Sequence, residues 1–215
     1  MKNQKNLYEF ENKLKKQGYQ YIAGVDEVGR GPLAAGVLAC ACILDLKNVI
    51  KDINDSKKLS EKKRNDLIPI IKNHALAYAY GYVNENEIDD INIYQASKLA
   101  MTRAIGNLKI KPDFLLIDAM ELQLDIDQEA IIKGDSKSAS IAAASILAKV
   151  KRDQIMEKFD IMYPGYGFKQ HKGYPTKYHI AQLKKLKPCK IHRLSYKPVQ
   201  NAKLIQQTLD LGGLE

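Results

Sequence analysis

Four carboxylates stand where an acidic side chain is costly. Asp26 and Glu27 interrupt the apolar run that begins at Tyr21. Asp118 closes Leu115-Leu116-Ile117-Asp118, and Asp135 sits in Gly134-Asp135-Ser136, ahead of an alanine-rich stretch. An acid inside or at the tip of a buried strand is expensive unless it is paired or bound to a metal. No Lys or Arg lies inside the two apolar runs to pair with these acids. Two carboxylates ~4 Å apart repel by about 4 kcal/mol at an effective dielectric of about 20, so a cluster needs a cation or raised pKa values. Oxygen donors without Cys or His suit Mg²⁺ or Mn²⁺ rather than Zn²⁺. Two such ions activate a water and stabilise the leaving oxygen in phosphodiester cleavage. Each acid also has a plainer role. Asp135 before Ser136 suits a helix N-cap, and Asp118 suits a strand end. Asp26 and Glu27 are adjacent, so a regular strand points them to opposite faces. They share one site only if the strand ends or bulges there, which Gly29 and Gly31 allow. Spacing alone does not show that the four converge.

The elements that must position these acids follow from the pattern. Residues 5–17 read as a helix and 21–28 as a strand, closed by the Gly29-Arg30-Gly31-Pro32 turn. Glycines there let the backbone approach a ligand closely, although neither phosphate-loop spacing is present. Residues 33–45 read as a second apolar strand. Ser60 suits the N-cap of a helix to about Lys72. Residues 75–83 alternate as a third strand. A helix over about 94–108 follows, then short strands at Phe114–Asp118 and Ala130–Lys133. A long helix from Ser136 to about Phe159 carries Ala142, Ala143, Ala144 and Ala148, small enough for close packing on a sheet. A last helix spans about 176–187. Strands mixed with helices predict an α/β domain with a mixed sheet.

Composition narrows the partner. The 215 residues carry 34 Lys and Arg against 25 Asp and Glu, a formal net charge of +9. Residues 161–209 contain no acid and ten Lys or Arg. That stretch also holds His171, His179 and His192, interleaved with Tyr163, Tyr166, Phe168, Tyr174, Tyr178 and Tyr196. Basic residues among aromatics point to a phosphate backbone. No apolar run is long enough for a transmembrane helix, and the start lacks a signal-peptide core. Neither membrane nor secretion is therefore expected, and the expected location is the cytoplasm. Cys40, Cys42 and Cys189 supply no disulfide framework.

The blocks together resemble a known family. Asp26-Glu27-Val28-Gly29-Arg30-Gly31-Pro32-Leu33-Ala34 is similar to the N-terminal signature of type 2 ribonucleases H, the ribonuclease HII family. The likeness continues through Asp55-Ser56-Lys57-Lys58-Leu59, Asp118-Ala119 and Gly134-Asp135-Ser136. It then runs through Ser140 to Val150 with Arg152-Asp153, and ends with His171-Lys172-Gly173-Tyr174-Pro175-Thr176. These ordered blocks cover roughly residues 20 to 180.

The resemblance implies a ribonuclease-H-like fold, a mixed five-stranded sheet flanked by helices, with a basic helical C-terminal part. It implies a helical N-terminal extension over 1–20 and a catalytic domain over 21–215, basic from about 161. Asp26, Glu27, Asp118 and Asp135 become catalytic metal ligands for Mg²⁺ or Mn²⁺. The implied reaction is hydrolysis of the RNA strand of RNA–DNA hybrids, and nicking of duplex DNA 5′ to an embedded ribonucleotide. It leaves a 3′-hydroxyl and a 5′-phosphate. Gly29, Arg30 and Gly31 take the 2′-hydroxyl, Tyr174 packs on the next deoxyribose, and Lys57 contacts phosphate. Ribonuclease HIII relatives usually carry an extra N-terminal domain, for which the residues before the first strand are too few. Where the family often has Leu-Ala-Gly-Pro-Val, this chain has Leu33-Ala34-Ala35-Gly36-Val37. That change is expected to alter how firmly the turn is held, not to remove activity. The tail Gln206-Gln207-Thr208-Leu209-Asp210-Leu211-Gly212 faintly resembles a sliding-clamp peptide, but Gly212 replaces its aromatic anchor, so clamp binding is not expected. A monomer is expected. Two alternatives stay open from the residues alone: a related-fold nuclease on branched DNA, and a non-catalytic hybrid-binding protein.

Overall fold

A computed structural model describes residues 7–51, 53–54, 56 and 58–203. Lys57 and the clamp-like tail lie outside these residues. In chain order the elements are α1 (Glu9–Lys16), β1 (Ile22–Val28), β2 (Val37–Leu44), α2 (Glu61–His74), β3 (Ala75–Val83) and α3 (Glu85–Gly106). There follow β4 (Phe114–Asp118), β5 (Asp127–Ile131), a single 3-10 turn at Gly134–Ser136, α4 (Ala139–Met162), α5 (Phe168–His171) and α6 (Lys177–Leu186). The five strands form one sheet in the order β3-β2-β1-β4-β5. β1 pairs antiparallel with β2 and parallel with β4, and β4 pairs parallel with β5. This is the mixed five-stranded sheet that the resemblance implies.

The chain divides into two compact units. The first comprises the chain up to Val28, Leu38–Tyr82 and Ser97–Lys151; the second comprises Gly29–Val37, Val83–Ala96 and the chain from Arg152. Strand β1 explains the first unit's core. Ile22, Ala23 and Val25 are buried, as are all eight residues of β2. A strand buried on both faces reads as a continuous apolar run, not an alternation. Cys40 and Cys42 are free thiols within it. Leu14 of α1 joins Ile22, Phe114, Leu116, Ile131 and Ile141 in one cluster.

Helix α4 lies directly on β1. A Cβ on Gly24 would sit 2.0 Å from the Ser140 carbonyl carbon and 2.2 Å from the Ile141 nitrogen. Only glycine permits that approach. The alanines at 142, 143, 144 and 148 are fully buried along the same helix. The start of α4 is capped from α1: the Glu11 carboxylate accepts the Ser138 hydroxyl at 2.6 Å and the Ser140 N–H at 2.8 Å. Burial raises the pKa of Glu11.

Several elements differ from the sequence reading. Strand β2 begins at Val37 rather than 33, because Leu33 and Ala35 donate their N–H groups to Gly173 and Ile191 instead. Helix α3 begins at Glu85 rather than 94. Asn84 and Glu87 cap each other reciprocally, each side chain accepting the other's N–H at 3.0 Å. Asn92 breaks the helix with φ 67° and ψ 163°, and its Oδ1 then accepts the N–H groups of Tyr94 and Gln95 to restart it. Strand β5 spans 127–131, and Ile132 is exposed. The Ser60 cap of α2 stands as read, and Thr176 caps α6 in the same way, each accepting the N–H three residues on.

Gly24→Ala forces Cβ into the backbone of α4 and should cost about 3 kcal/mol in urea unfolding; a loss below about 1 kcal/mol would contradict the close approach.

Candidate active site

The four acids belong to the first unit. Register places two of them together. Val25 of β1 pairs with Ile117 of β4, so Asp26 and Asp118 occupy the next rung. Paired residues of parallel strands share a face. Gly24, two residues before Asp26, shares that face, which brings α4 over the Asp26 carboxylate. Asp26 is 6% exposed, and Ser145 of α4 hydrogen-bonds to it. Ser145 also shares a hydrogen bond with Ser56 at 2.9 Å. Glu27 sits one residue before β1 ends, still paired with Ala39 of β2 but beyond the last β1–β4 pair at Val25. Its N–H donates to Asp26 Oδ1 at 2.8 Å. Asp135 is buried in the 3-10 turn, and the preceding Gly134 donates its N–H to Asp118 Oδ1 at 2.7 Å.

Charge converges on Asp26. Its pKa is raised well above the usual carboxylate range, first by burial, then by Glu27 and Asp118, with Asp135 adding to them. The Ser145 hydrogen bond acts in the opposite direction. The other three acids predicted from the sequence thus all bear on Asp26. They do not form a finished cage: among the described residues, no three His, Cys, Asp or Glu side chains are arranged to hold a metal. Asp26 and Asp118 each spend an oxygen on a backbone N–H. An oxygen-only donor set under mutual repulsion fits a hard divalent ion that completes its shell with water and phosphate oxygens.

The Gly-Arg-Gly turn belongs to the second unit. Gly29 has φ +102°, and a Cβ there would lie 2.3 Å from Arg152 Nε. Arg30 and Gly31 are exposed. A Cβ on Gly31 would stand 3.4 Å from Tyr174 Cε1, so the Tyr174 ring lies beside the turn. The structure thus brings Gly29, Arg30, Gly31 and Tyr174 together.

Two residues hold this turn, a role the sequence did not give to either. Arg193 is fully buried and donates to the carbonyls of Gly29 at 2.5 Å, Arg30 at 2.9 Å and Ala35 at 2.8 Å. It also donates to the Tyr196 hydroxyl, which itself donates to the Arg30 carbonyl. Arg152, also buried, donates to the carbonyls of Lys172 and Ala34. The planar guanidinium supplies several fixed donors, which an ammonium does not. The sequence counted Arg193 among phosphate-facing cations; its burial corrects that. Tyr166 and Phe168 likewise stack on each other inside a core rather than facing a ligand. Tyr174, Tyr178 and α6 residues Lys177, Lys184 and Lys185 are exposed.

The fold and the acids define a class, and comparison with known proteins places the chain in it. The profile of the family described as Ribonuclease HII matches residues 23–199. A ribonuclease HII of Bacillus pumilus is 54% identical over 195 residues, 91% of this chain and 77% of its own length. The ribonuclease H2 of Pyrococcus horikoshii superposes with a TM-score of 0.75 at 25% identity, covering 87% of this chain and 99% of that one. The Bst ribonuclease HIII, solved in complex with Mn²⁺, superposes at 0.67 with 17% identity, covering 90% and 72%. The chain belongs to the ribonuclease HII family and is a hydrolase of that class. The branched-DNA nuclease and the non-catalytic binder give way to this reading.

Ala35 marks the departure from the family pattern. It has φ 66°, in the left-handed region that favours glycine. An L side chain there costs roughly 1–2 kcal/mol. The Ala35 N–H to Ile191 (2.7 Å) and the Arg193 bond to its carbonyl hold it there. Ala35→Gly should lie within about 1 kcal/mol of wild type, because relieved strain offsets lost methyl burial and added chain entropy. Ala34→Gly, equally buried without that strain, should cost about 1–2 kcal/mol. Equal losses in chemical denaturation would show that Ala35 carries no strain.

Proposed function

We propose that the chain is an endonuclease that hydrolyses the RNA strand of RNA–DNA hybrids and nicks duplex DNA 5′ to an embedded ribonucleotide. It leaves a 3′-hydroxyl and a 5′-phosphate and uses Mg²⁺ or Mn²⁺. The observation that carries the reading is the convergence of Glu27, Asp118 and Asp135 on buried Asp26. The Mn²⁺ complex of a ribonuclease HIII with this fold supports the choice of ion.

Asp26, Glu27, Asp118 and Asp135 would hold the divalent ions. When bound, such ions lower the pKa of a water and neutralise charge on the leaving oxygen. The residues of the chain do the rest. Ser145 and the Glu27 N–H orient the Asp26 carboxylate, and the Gly134 N–H orients Asp118. Arg193 grips the Gly29 and Arg30 carbonyls and sets the shape of the turn that meets the 2′-hydroxyl. RNA differs from DNA at one position by that hydroxyl alone, so recognition needs a group fixed there. The Tyr174 ring beside Gly31 packs on the following sugar and disfavours, without forbidding, a second 2′-hydroxyl there. The exposed lysines of α6 grip phosphates without reading bases. Lys57 enters as a phosphate contact by resemblance alone.

A labelled DNA duplex with one ribonucleotide, beside its all-DNA twin, tests the proposal. A nick 5′ to the ribonucleotide with Mg²⁺, absent with EDTA, is expected, with the twin intact. Asp118→Asn should lower kcat at least about a hundredfold and leave the hybrid Kd within about threefold. Cleavage by that variant at the wild-type rate would remove Asp118 from the site.

A further inference from the structure

His171, His179 and His192 meet in the second unit and take no part in the cleavage proposed above. All three are buried. His171 stacks on His179, with centroids 4.3 Å apart and planes 13° apart. Phe168 meets both rings edge to face. Among the described residues the group is not arranged to hold a metal.

Their hydrogen bonds fix which nitrogen of each ring carries the proton. The Cys189 N–H lies 3.0 Å from His192 Nδ1. A backbone N–H only donates, so His192 Nδ1 accepts and a neutral ring carries its proton on Nε2. That Nε2 stands 3.2 Å from His179 Nε2, which must therefore accept. His179 then carries its proton on Nδ1, 2.9 Å from the Tyr174 carbonyl. A carbonyl only accepts, so the same order follows when the chain is traced from its other end. Cys189 Sγ, 3.2 Å from His192 Nδ1, can donate there as the N–H does, and the Cys189 carbonyl, 3.3 Å away, takes its proton instead from the His192 backbone N–H at 3.0 Å. His171 works in parallel. Its Nδ1 accepts the Gly173 N–H at 3.2 Å, and its Nε2–H donates to the Tyr166 carbonyl at 2.8 Å.

Each ring therefore has room for one proton. A second proton on His192 would face the Cys189 N–H, one on His179 would face His192 Nε2–H, and one on His171 would face the Gly173 N–H. Burial acts in the same direction, pushing His179 and His192 down to about 4 and lowering His171.

We propose that these histidines form a directed hydrogen-bond relay ending on the Gly173–Tyr174 backbone, and that they are positioning residues for the sugar contact of Tyr174. The inference rests on the reading that Tyr174 packs on the deoxyribose after the ribonucleotide. The relay grips the N–H of Gly173 through His171 and the carbonyl of Tyr174 through His179. The Gly173 carbonyl accepts the Leu33 N–H at 2.8 Å, and the Tyr174 N–H donates to the His171 carbonyl at 2.9 Å. The Tyr174 ring is 42% exposed, so its backbone sets much of its placement.

The test compares kcat/KM on a DNA duplex with one ribonucleotide and on a long RNA–DNA hybrid. A purely structural loss lowers both alike, whereas a misplaced Tyr174 lowers their ratio. Tyr174→Ala should lower the ratio at least about tenfold, and His179→Leu should do so by a similar factor. The double variant should fall no further than Tyr174→Ala, since residues acting through one contact are not additive. His179→Asn, which keeps a donor near the Nδ1 position, should hold the ratio within about threefold of wild type, whereas His179→Gln should lose it. That pair decides the matter if His179→Leu does not fold. An unchanged ratio in Tyr174→Ala would overturn the Tyr174 reading, and the relay's purpose with it. A lowered ratio in Tyr174→Ala but not in His179→Leu or His179→Gln would overturn the relay alone, as would additive effects in the double variant. Nitrogen-15 NMR of the rings should show His179 protonated on Nδ1 and His192 on Nε2; the reverse would break the relay directly.

Discussion

A carboxylate buried among three others is unfavourable twice over, once for leaving water and once for facing like charge. Asp26 is in that position, and much of the first unit can be understood as what keeps it there. Burial requires α4 to lie against β1, which requires a glycine at 24 and a run of alanines along the helix. The Glu11 carboxylate fixes the helix start, and Ser145 gives Asp26 one of its few compensating hydrogen bonds. Register then sets Asp118 alongside, and Gly134 joins the Asp118 carboxylate to the turn that carries Asp135. A fold selected for stability alone would put apolar residues at these positions. The divalent ion proposed above would convert that repulsion into coordination.

The second unit solves a different problem with a related device. Its Gly-Arg-Gly turn, proposed above to present backbone to the ribose, is exposed at Arg30 and Gly31 and has little side chain of its own to rest on. Arg193 supplies the missing support from within, using one buried guanidinium to gather the carbonyls of Gly29, Arg30 and Ala35. The left-handed Ala35 is the strained point of that arrangement.

How far the sequence revealed this depends on the kind of signal. Asp26, Glu27 and Asp118 were visible because an acid inside an apolar run violates a strong rule. Strands β1, β2 and β4 were visible because buried strands are short and apolar, and β3 because its residues alternate, whereas polar β5 was legible only at its end. Helix α3 was only half visible: Asn84 and Glu87 form a capping pair, yet the following residues are polar and mask the helical period, and Asn92 interrupts it. Residues 33–36 read as part of β2 because their apolar character is the same whether they pair in a sheet or pack in a loop. Arg193 was unreadable for a deeper reason. Charge in a sequence predicts exposure, and a buried Arg is recognised only by the carbonyls around it, which come from distant segments.

Holding the acids together should cost stability that the proposed divalent ion recovers. Unfolding of the wild type and of Asp26→Asn in EDTA at pH 8, then with Mn²⁺, tests it most directly. A folded-state pKa raised above the unfolded value means that stability is lost as pH rises through the folded value. At pH 8 in EDTA the variant should therefore be more stable than the wild type, by about 1–3 kcal/mol. Mn²⁺ should raise the wild-type melting temperature and leave that of the variant nearly unchanged. A less stable variant in EDTA that gains as much from Mn²⁺ as the wild type would contradict the account.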